Sequence, residues 1–222
     1  VTFDLNPEKA KKRQVDAVTS NPGHLLFCGA VTDARAASVA DRLLSPSMWS
    51  GWGIRTLGKQ QGAYNPLSYH NGTIWPHDNA IAAMGMSYYG MTGSAARILD
   101  GMWDAAQHFR HLRLPELFCG MDRGGDHFPV HYPVACSPQA WASGAFLLML
   151  RATLGIFPDA PRRQLRIVSP VLPSWLKELH LTGLRIGRTR ADLKFTRTPQ
   201  GAYVAVTHVE NGPLNVRIDV RR

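Results

Sequence analysis

The sequence predicts a mainly α-helical protein that ends in a small antiparallel β module. Apolar residues recur at helical spacing through the first two thirds of the chain, and they alternate with polar residues after Gly155. The 222 residues are 45% hydrophobic and 18% charged, so a buried core is expected. The boundary is expected in the proline-containing stretch 157–163, which divides the chain into residues 1–157 and 163–222.

Four helices are predicted in the first part. Residues 35–44 and 94–109 place apolar side chains three and four positions apart, as an amphipathic helix does. A third helix is expected from Pro76, which suits a first helical position, to about Tyr89. A fourth is expected after Ser137 as N-cap, and its almost wholly apolar body indicates burial on several sides.

Five strands are predicted after Gly155, because apolar and polar residues alternate in five short segments. These segments are QLRIV, ELHLTGLRI, RADLKFTR, AYVAVTH and LNVRIDV. Turn sequences such as Asn-Gly-Pro at 211–213 separate them. An antiparallel sheet or sandwich is therefore expected.

Composition narrows the classes of function. No apolar run approaches the ~18 residues of a membrane span, and the first residues lack a signal-peptide pattern, so no membrane partner is expected. Three widely spaced cysteines favour free thiols and a cytoplasmic location. From Arg151 onward there are 13 Lys and Arg against 5 Asp and Glu, but they are interleaved with strand residues. This pattern favours a solvated β surface over a nucleic-acid platform, so no nucleic-acid partner is expected.

The loops between the helices are unusually rich in aromatic and hydrogen-bonding side chains. The four loops are residues 45–57, 64–80, 113–123 and 129–141. Their rings are Trp49, Trp52, Tyr64, Tyr69, Trp75, Tyr132 and Trp141. Their hydrogen-bonding groups are Arg55, Asn65, His70, Asn71, His77, Asp78, Glu116 and Gln139. Flat rings beside such groups suit a sugar, which has apolar faces and a hydroxyl rim, although core packing is the alternative for any single Trp.

Four stretches, in this order and spacing, resemble the C-terminal part of the bacterial amylo-α-1,6-glucosidase (glycogen-debranching-enzyme-like) family. They are SGWGIRTL, YNPLSYHNGTIWPHDNA, RLPELFCG and YPVACSPQAWASGA, and QVDAVTSNPGHLL near the start fits as well. The resemblance implies a partial (α/α)6 toroid, the second half of a barrel. It also implies inverting hydrolysis of α-glycosidic bonds in glycogen-like or oligosaccharide substrates, without a metal or another cofactor.

The resemblance further implies that the general acid lies in the first half of the barrel. The chain is then expected to supply the base-side half of the site. Its expected partners are a carbohydrate and either the N-terminal half of the barrel or a second copy of itself. A non-catalytic sugar-binding fragment remains the alternative. The exact sugar stays open among α-1,6 branch points, α-1,4 oligomers, trehalose-like and mannosylglycerate-like sugars.

Inverting hydrolysis needs two carboxylic acids about 6.5–9.5 Å apart. Glu116 matches by position the loop in which relatives of this barrel carry the general base, and Asp78 is the second candidate. The other loop carboxylates are Asp122 and Asp126. The residues expected to bind substrate are Trp49, Trp52, Arg55, Tyr69, His70, Asn71, Trp75, His77, Gln139 and Trp141.

Both carboxylates also have structural alternatives. Glu116 could tie its loop to Arg113 or Arg123. Asp78 could cap the helix that begins at Pro76, or hold His77 or Arg55.

Two other chemistries are disfavoured. His108 and His111 have helical spacing, but His131 of the pair His127 and His131 lies among prolines, and no HExxH motif occurs. No metal site is therefore expected. A nucleophilic serine or cysteine is disfavoured because no GxSxG turn is present.

Overall fold

The helical part contains five α-helices in the computed structural model, which describes residues 15–125, 128–199 and 201–219. Their bounds are α1 Pro22–Phe27, α2 Asp33–Leu43, α3 Pro76–Tyr88, α4 Thr92–Ala106 and α5 Ala140–Thr153, and a 3-10 helix lies at Arg110–Leu112. The second, third and fourth helices lie close to three predicted ones, whereas α1 has no counterpart in the prediction. None of the described helices has both the length and the apolar character needed to cross a membrane.

The start of α5 differs from the prediction. The N-cap is Gln139, whose side chain accepts a hydrogen bond from the Ala140 backbone N–H at 3.0 Å. The expectation of Ser137 as N-cap is wrong, because the backbone is still extended at Gln139, with φ −128° and ψ 129°.

The expected burial of α5 on several sides is also not seen within the described residues. One side of α5 packs against α3 and α4. Ala145 and Met149 are buried, whereas Leu147 is 68% exposed and Trp141 is 46% exposed. One face of this apolar helix therefore remains open.

The β module contains six strands within residues 156–219 of the described chain. Their bounds are β1 Ile156–Asp159, β2 Gln164–Val168, β3 Glu178–Ile186, β4 Thr189–Thr198, β5 Gly201–Glu210 and β6 Asn215–Asp219. They form two three-stranded sheets, ordered β1–β2–β6 and β3–β4–β5. The predicted order of a helical part followed by a β module is confirmed.

The purely antiparallel arrangement predicted for this module needs correction. Strands β3, β4 and β5 form an antiparallel meander, but β6 pairs parallel to β2, with Gln164 opposite Asn215. The parallel pairing follows from the long excursion through β3–β5, which returns the chain beside β2 in the same direction. The stretch predicted as a linker contains most of β1, which pairs with β2 in a hairpin.

The buried apolar residues form two clusters that divide between Ala152 and Leu154. The first lies among the helices and includes Met84 and Leu99, and the second lies in the β module around Phe195. The two parts are joined by polar contacts as well. Thr92 donates a hydrogen bond to the Ser169 carbonyl at 2.6 Å, and the Trp175 indole donates to Asp100 at 3.0 Å.

Helices α1 and α3 approach each other closely through two glycines. A Cβ atom at Gly23 would lie 2.8 Å from the Cβ of Ala82, and one at Gly85 would lie 2.6 Å from the Cβ of Leu26. Both distances are shorter than ordinary packing allows, so the contact depends on glycine at these positions. This contact sets the position of the side chains at the start of α3.

Candidate active site

Short backbone bridges align the four aromatic-rich loops. Ile74 pairs with Arg55 on one side and with Phe118 on the other, and Phe118 pairs with His131. The Ile74 N–H donates to the Phe118 carbonyl at 2.9 Å, and the Phe118 N–H donates back at 3.0 Å. Loops that are distant in sequence therefore lie side by side, next to the start of α3.

An open pocket of about 660 Å³ lies between these loops and the residues that precede α1. It is lined by Thr19, Ser20, Asn21, Thr56, Leu57, Tyr69, His70, Asn71, Trp75, His77, Asp78, Glu116 and Trp141. Eight of the twelve predicted site residues are among them: Tyr69, His70, Asn71, Trp75, His77, Asp78, Glu116 and Trp141.

The aromatic rings of the pocket hold one another in place. The His70 ring stacks on Trp75 at 5.6 Å between centroids, and the Tyr69 ring meets Trp75 edge-on at 4.9 Å. Trp75 is fixed further because its indole N–H donates to the Tyr69 carbonyl at 3.2 Å. The His77 ring stacks on Trp141 at 4.4 Å. The result is a preformed wall of flat faces, which suits the apolar face of a sugar ring.

Glu116 lies in this wall and is 8% exposed. Its Oε1 atom accepts a hydrogen bond from the Tyr69 hydroxyl at 3.1 Å, and its Oε2 atom accepts one from the Cys136 N–H at 3.4 Å. Burial and the bond to Glu116 raise the pKa of Tyr69, so this hydroxyl remains a donor at neutral pH. Neutral donors therefore orient Glu116.

The structural alternative for Glu116 finds no support in these contacts. Arg123 forms its ion pair with Asp104 at 2.5 Å, and Glu116 is anchored instead by its own backbone N–H, which donates to the Cys136 carbonyl at 2.9 Å. The loop is thus held through backbone and tyrosine contacts, which leaves the carboxylate facing the pocket.

Asp78 occupies the first turn of α3 and is 8% exposed. Its Oδ1 atom lies 2.7 Å from Nε2 of His24 in α1, whereas its Oδ2 atom is buried without a hydrogen-bond partner. The structural alternatives for Asp78 are thus replaced by another contact. The N-cap of α3 is Trp75 without a side-chain cap, and the α1–α3 contact brings His24 to Asp78 in place of His77 or Arg55. The hydrogen bond to Asp78 raises the pKa of His24 against the opposing effect of burial.

His77 lies next to this pair and behaves differently. Burial lowers its pKa, so the ring is neutral at neutral pH, and its Nδ1 atom is buried without a partner. His77 and Asp78, which both line the pocket, thus each keep one buried polar atom without a partner. Such atoms are expected to find a partner in a ligand or in water.

Four predicted site residues do not line the pocket. Arg55 is fully buried, and its guanidinium donates to the Gly120 carbonyl at 2.7 Å and to Asp122 at 2.6 Å. The Arg123 guanidinium covers the Trp52 ring at 4.6 Å, and the Arg97 guanidinium lies 4.9 Å from Trp49. The fourth, Gln139, caps α5. All four residues support the loops around the pocket.

Asp122 also has a supporting position. Burial alone would raise its pKa, but hydrogen bonds from Lys59 and Arg55 outweigh that effect and lower it. The remaining loop carboxylate, Asp126, lies outside the described residues, as does His127. Across the described part of the chain, no group of three His, Cys, Asp or Glu side chains is arranged to hold a metal ion.

Local sequence patterns missed the part of the pocket lining that precedes α1, residues 19–21. Thr19 pairs with Leu57, and the Ser20 N–H donates to the Thr56 carbonyl at 3.2 Å, which places residues 19–21 beside the loop 45–57. Residues 19–21 lie within the segment QVDAVTSNPGHLL, which is one of the stretches that carry the family resemblance. That resemblance is the signal that could have identified them as pocket residues. His24 follows in the same segment.

A helical domain whose loops gather aromatic rings and two carboxylates around one pocket has the features of a carbohydrate-active enzyme. Residues 8–122 match the family model described as mannosylglycerate hydrolase MGH1-like glycoside hydrolase domain. The match spans just over half of the chain, so the chain belongs to this glycoside hydrolase family. No curated protein matches the chain. The predicted resemblance to a glycoside hydrolase family of the six-hairpin type, the class with (α/α)6 barrels, is thus confirmed, and the amylo-α-1,6-glucosidase type remains a prediction.

Proposed function

We propose that this chain carries the general-base half of an inverting glycosidase site for α-glycosidic bonds of the amylo-α-1,6-glucosidase type. The observation that carries the proposal is Glu116, a buried carboxylate that lines the pocket and is oriented by two neutral donors. In this role Glu116 accepts a proton from a water molecule, which then attacks the anomeric carbon from the face opposite the leaving group.

The surroundings of Glu116 support this role. The hydroxyl of Tyr69 and the N–H of Cys136 fix both carboxylate oxygens, so the base is held in place before substrate binds. Trp75 and Trp141 supply flat faces for the sugar rings. The unused polar atoms of His77 and Asp78 supply hydrogen bonds for hydroxyl groups.

For the substrate, we propose an α-linked glucose oligosaccharide with an α-1,6 bond. The description of the matching family names mannosylglycerate hydrolase, so mannosylglycerate is the substrate to compare with it. α-1,4 oligomers and trehalose are further comparisons. The pocket of about 660 Å³ has room for a disaccharide such as isomaltose and for the smaller mannosylglycerate.

The partial (α/α)6 toroid belongs to the same proposal. The open face of α5, with Leu147 and Trp141 exposed, supports it, because an inner barrel helix needs covering on that side. We propose that further helices of a barrel, or else a second copy of the chain, cover this face and supply the general acid. The cytoplasmic location and the absence of nucleic-acid and membrane partners remain expectations within this proposal.

A non-catalytic sugar-binding role is the second candidate, and one observation favours it. Asp78 and Glu116 are the carboxylates among the described residues that line the pocket. Because Asp78 is engaged by His24, it is poorly placed to protonate a leaving oxygen. The described residues alone then supply a base without an acid.

The substitution Glu116→Gln tests the proposal, since it keeps the shape of the side chain and removes the base. Hydrolysis of isomaltose and of mannosylglycerate is followed by proton NMR, which also identifies the anomer released first. Where the further helices or the second copy that supply the general acid are present, we expect β-glucose to be released first from isomaltose, and Glu116→Gln to lower the rate by about 10²–10⁴-fold. The chain without them should show weak or no hydrolysis. The matched control is Glu178→Gln in β3, which lies outside the pocket and should keep the rate.

The possible outcomes separate the candidates. Isomaltose that binds without turnover even when the further helices or the second copy are present supports the sugar-binding role. Release of α-glucose first contradicts inversion, and a full rate in Glu116→Gln contradicts the assignment of the base. Hydrolysis of mannosylglycerate but not isomaltose overturns the proposed substrate and leaves the role of Glu116 in place.

A further inference from the structure

The contact between α1 and α3 places a charged pair at the pocket wall. His24 lies in the middle of α1 and Asp78 in the first turn of α3, and Nε2 and Oδ1 are 2.7 Å apart. This distance is typical of a charge-assisted hydrogen bond. Asp78 lines the pocket, whereas His24 approaches it from behind and is about half exposed.

The packing of the two helices gives this pair little freedom. Gly23 precedes His24 and lies against Ala82, and Gly85 lies against Leu26. The neighbours of His24 on α1 are thus locked to α3 on both sides. The backbone that carries His24 therefore cannot shift relative to Asp78 without breaking a tight helix contact.

The charges around His24 come from two helices. On α3, Asp78 accepts the hydrogen bond of His24. The pKa of His77, which burial lowers, is lowered further by the charge of His24 and is raised by the charge of Glu116 in the loop 113–123. On α2, which also packs against α1, Arg35 and Arg42 line a neighbouring groove together with Leu25. Among these charged groups, Asp78 is the hydrogen-bonded partner of His24.

We propose that His24 is a positioning residue, which holds Asp78 in one orientation so that its Oδ2 atom accepts a hydroxyl group of the bound sugar. Oδ1 is occupied by His24, and Oδ2 is the buried atom that has no partner within the protein. A carboxylate fixed at one oxygen presents the other in a defined direction, and a hydrogen bond to a charged acceptor is stronger than one to a neutral acceptor. This inference rests on the proposed function, because it needs a sugar in the pocket.

The test measures binding of isomaltose by calorimetry, so it does not depend on turnover. His24→Gln keeps a neutral donor near the position of Nε2 and removes the charge. The matched control is His180→Gln, since His180 forms an equally short pair with Glu178 at 2.6 Å on the exposed face of β3. Thermal unfolding of each variant checks that it is folded.

We expect the effect of His24→Gln on the affinity for isomaltose to depend on pH. At about pH 6, where His24 is charged, we expect His24→Gln to bind isomaltose about 10-fold more weakly than the unmutated chain. At a pH above the raised pKa of His24, which the NMR titration locates, the two should bind alike because the unmutated chain has weakened. His180→Gln should follow the unmutated chain throughout. NMR titration of the His24 ring in the unmutated chain should show the transition at the same pH as the change in affinity. In Asp78→Asn the His24 ring should titrate at a lower pH.

Several results would overturn the inference. Equal affinity of His24→Gln and the unmutated chain at about pH 6 would overturn it and leave the proposed function intact. An equal loss at both pH values would make His24 a purely structural residue. If His24→Gln fails to fold, the unmutated chain alone tests the inference. Its affinity for isomaltose must fall as the pH rises through the pKa of His24. Absence of isomaltose binding by the unmutated chain would overturn the proposed function together with this inference.

Discussion

The helical part buries some of its charged side chains, whereas the β module keeps its described charged side chains at the surface. The charged residues that are buried in the described structure are Arg55, Asp78 and Glu116, and all three belong to the loops and the helix start around the pocket. The ion pairs of the β module, such as Arg166 with Asp219, lie at its surface. Burying a charge is unfavourable unless it is paired. The buried charges therefore lower the stability of the helical part, and the β module has no such contribution among its described residues. The buried charges of the described chain thus lie in and around the pocket.

The largest effect is expected at Asp122, which neutralises the buried Arg55. In Asp122→Ala the guanidinium is left in the core without its carboxylate, and we expect the free energy of unfolding to fall by about 3 kcal/mol. This is the lower end of the range for broken buried pairs, because Arg55 is buried but the Asp122 side chain is 54% exposed. Urea unfolding measures the change.

The matched control for Asp122 is Asp219→Ala in β6. Asp219 pairs with Arg166 at 3.2 Å, and both side chains are about half exposed. A cost below about 1 kcal/mol is expected for an exposed pair. If the two substitutions cost the same, the contrast between the helical part and the β module is wrong.

The next effect concerns the α1–α3 contact that carries the His24–Asp78 pair. In Gly85→Ala the added methyl would lie 2.6 Å from the Leu26 Cβ and from the Phe27 nitrogen, so the helices must separate. We expect a loss of about 1–3 kcal/mol in the free energy of unfolding, together with weaker isomaltose binding.

Gly144 in α5 provides the matched control for Gly85. A Cβ atom there has no neighbour within 4 Å, and the residue lies inside a helix. Gly144→Ala should therefore stabilise the protein by about 0.5–1 kcal/mol, because alanine favours the helix. The prediction fails if Gly85→Ala is tolerated as well as Gly144→Ala.

The sequence identifies much of the pocket but not what lies behind it. Pro76 and the dense run of polar and aromatic residues before it predict both the start of α3 and the pocket wall. Arg55 shows the limit, since an arginine in a polar loop suggests a ligand contact and nothing local reveals its complete burial. His24 and Asp78 are 54 positions apart, and their contact is created by the packing of α1 on α3. The parallel pairing of β6 with β2 depends in the same way on tertiary structure.

A smaller effect is expected from the pH dependence of the His24–Asp78 pair. The pKa of His24 is raised in the folded state, so the pair stabilises the protein fully below the unfolded value of about 6.5. That stabilisation is lost as the pH rises through the folded pKa. Because His24 is about half exposed, the total is expected to be about 1 kcal/mol or less. The difference in unfolding free energy between the unmutated chain and Asp78→Asn should shrink with rising pH, and a difference that grows would contradict this sign.

The smallest effect, with the opposite sign, is expected for Glu178 in β3. Hydrogen bonds from Lys194 and His180 lower its pKa, so its contribution is present above the unfolded pKa and is lost as the pH falls through the folded one. All three side chains are exposed at the surface, where dissolved ions screen their attraction. The unfolding midpoint of Glu178→Gln should therefore differ slightly from that of the unmutated chain at low salt, and the difference should vanish at about 1 M salt. The His24–Asp78 pair, in which the Asp78 side chain is largely buried, should keep more of its effect under the same salt. If salt abolishes both effects equally, the pocket pair is as exposed to solvent as the surface pair and the contrast between the two regions does not extend to it.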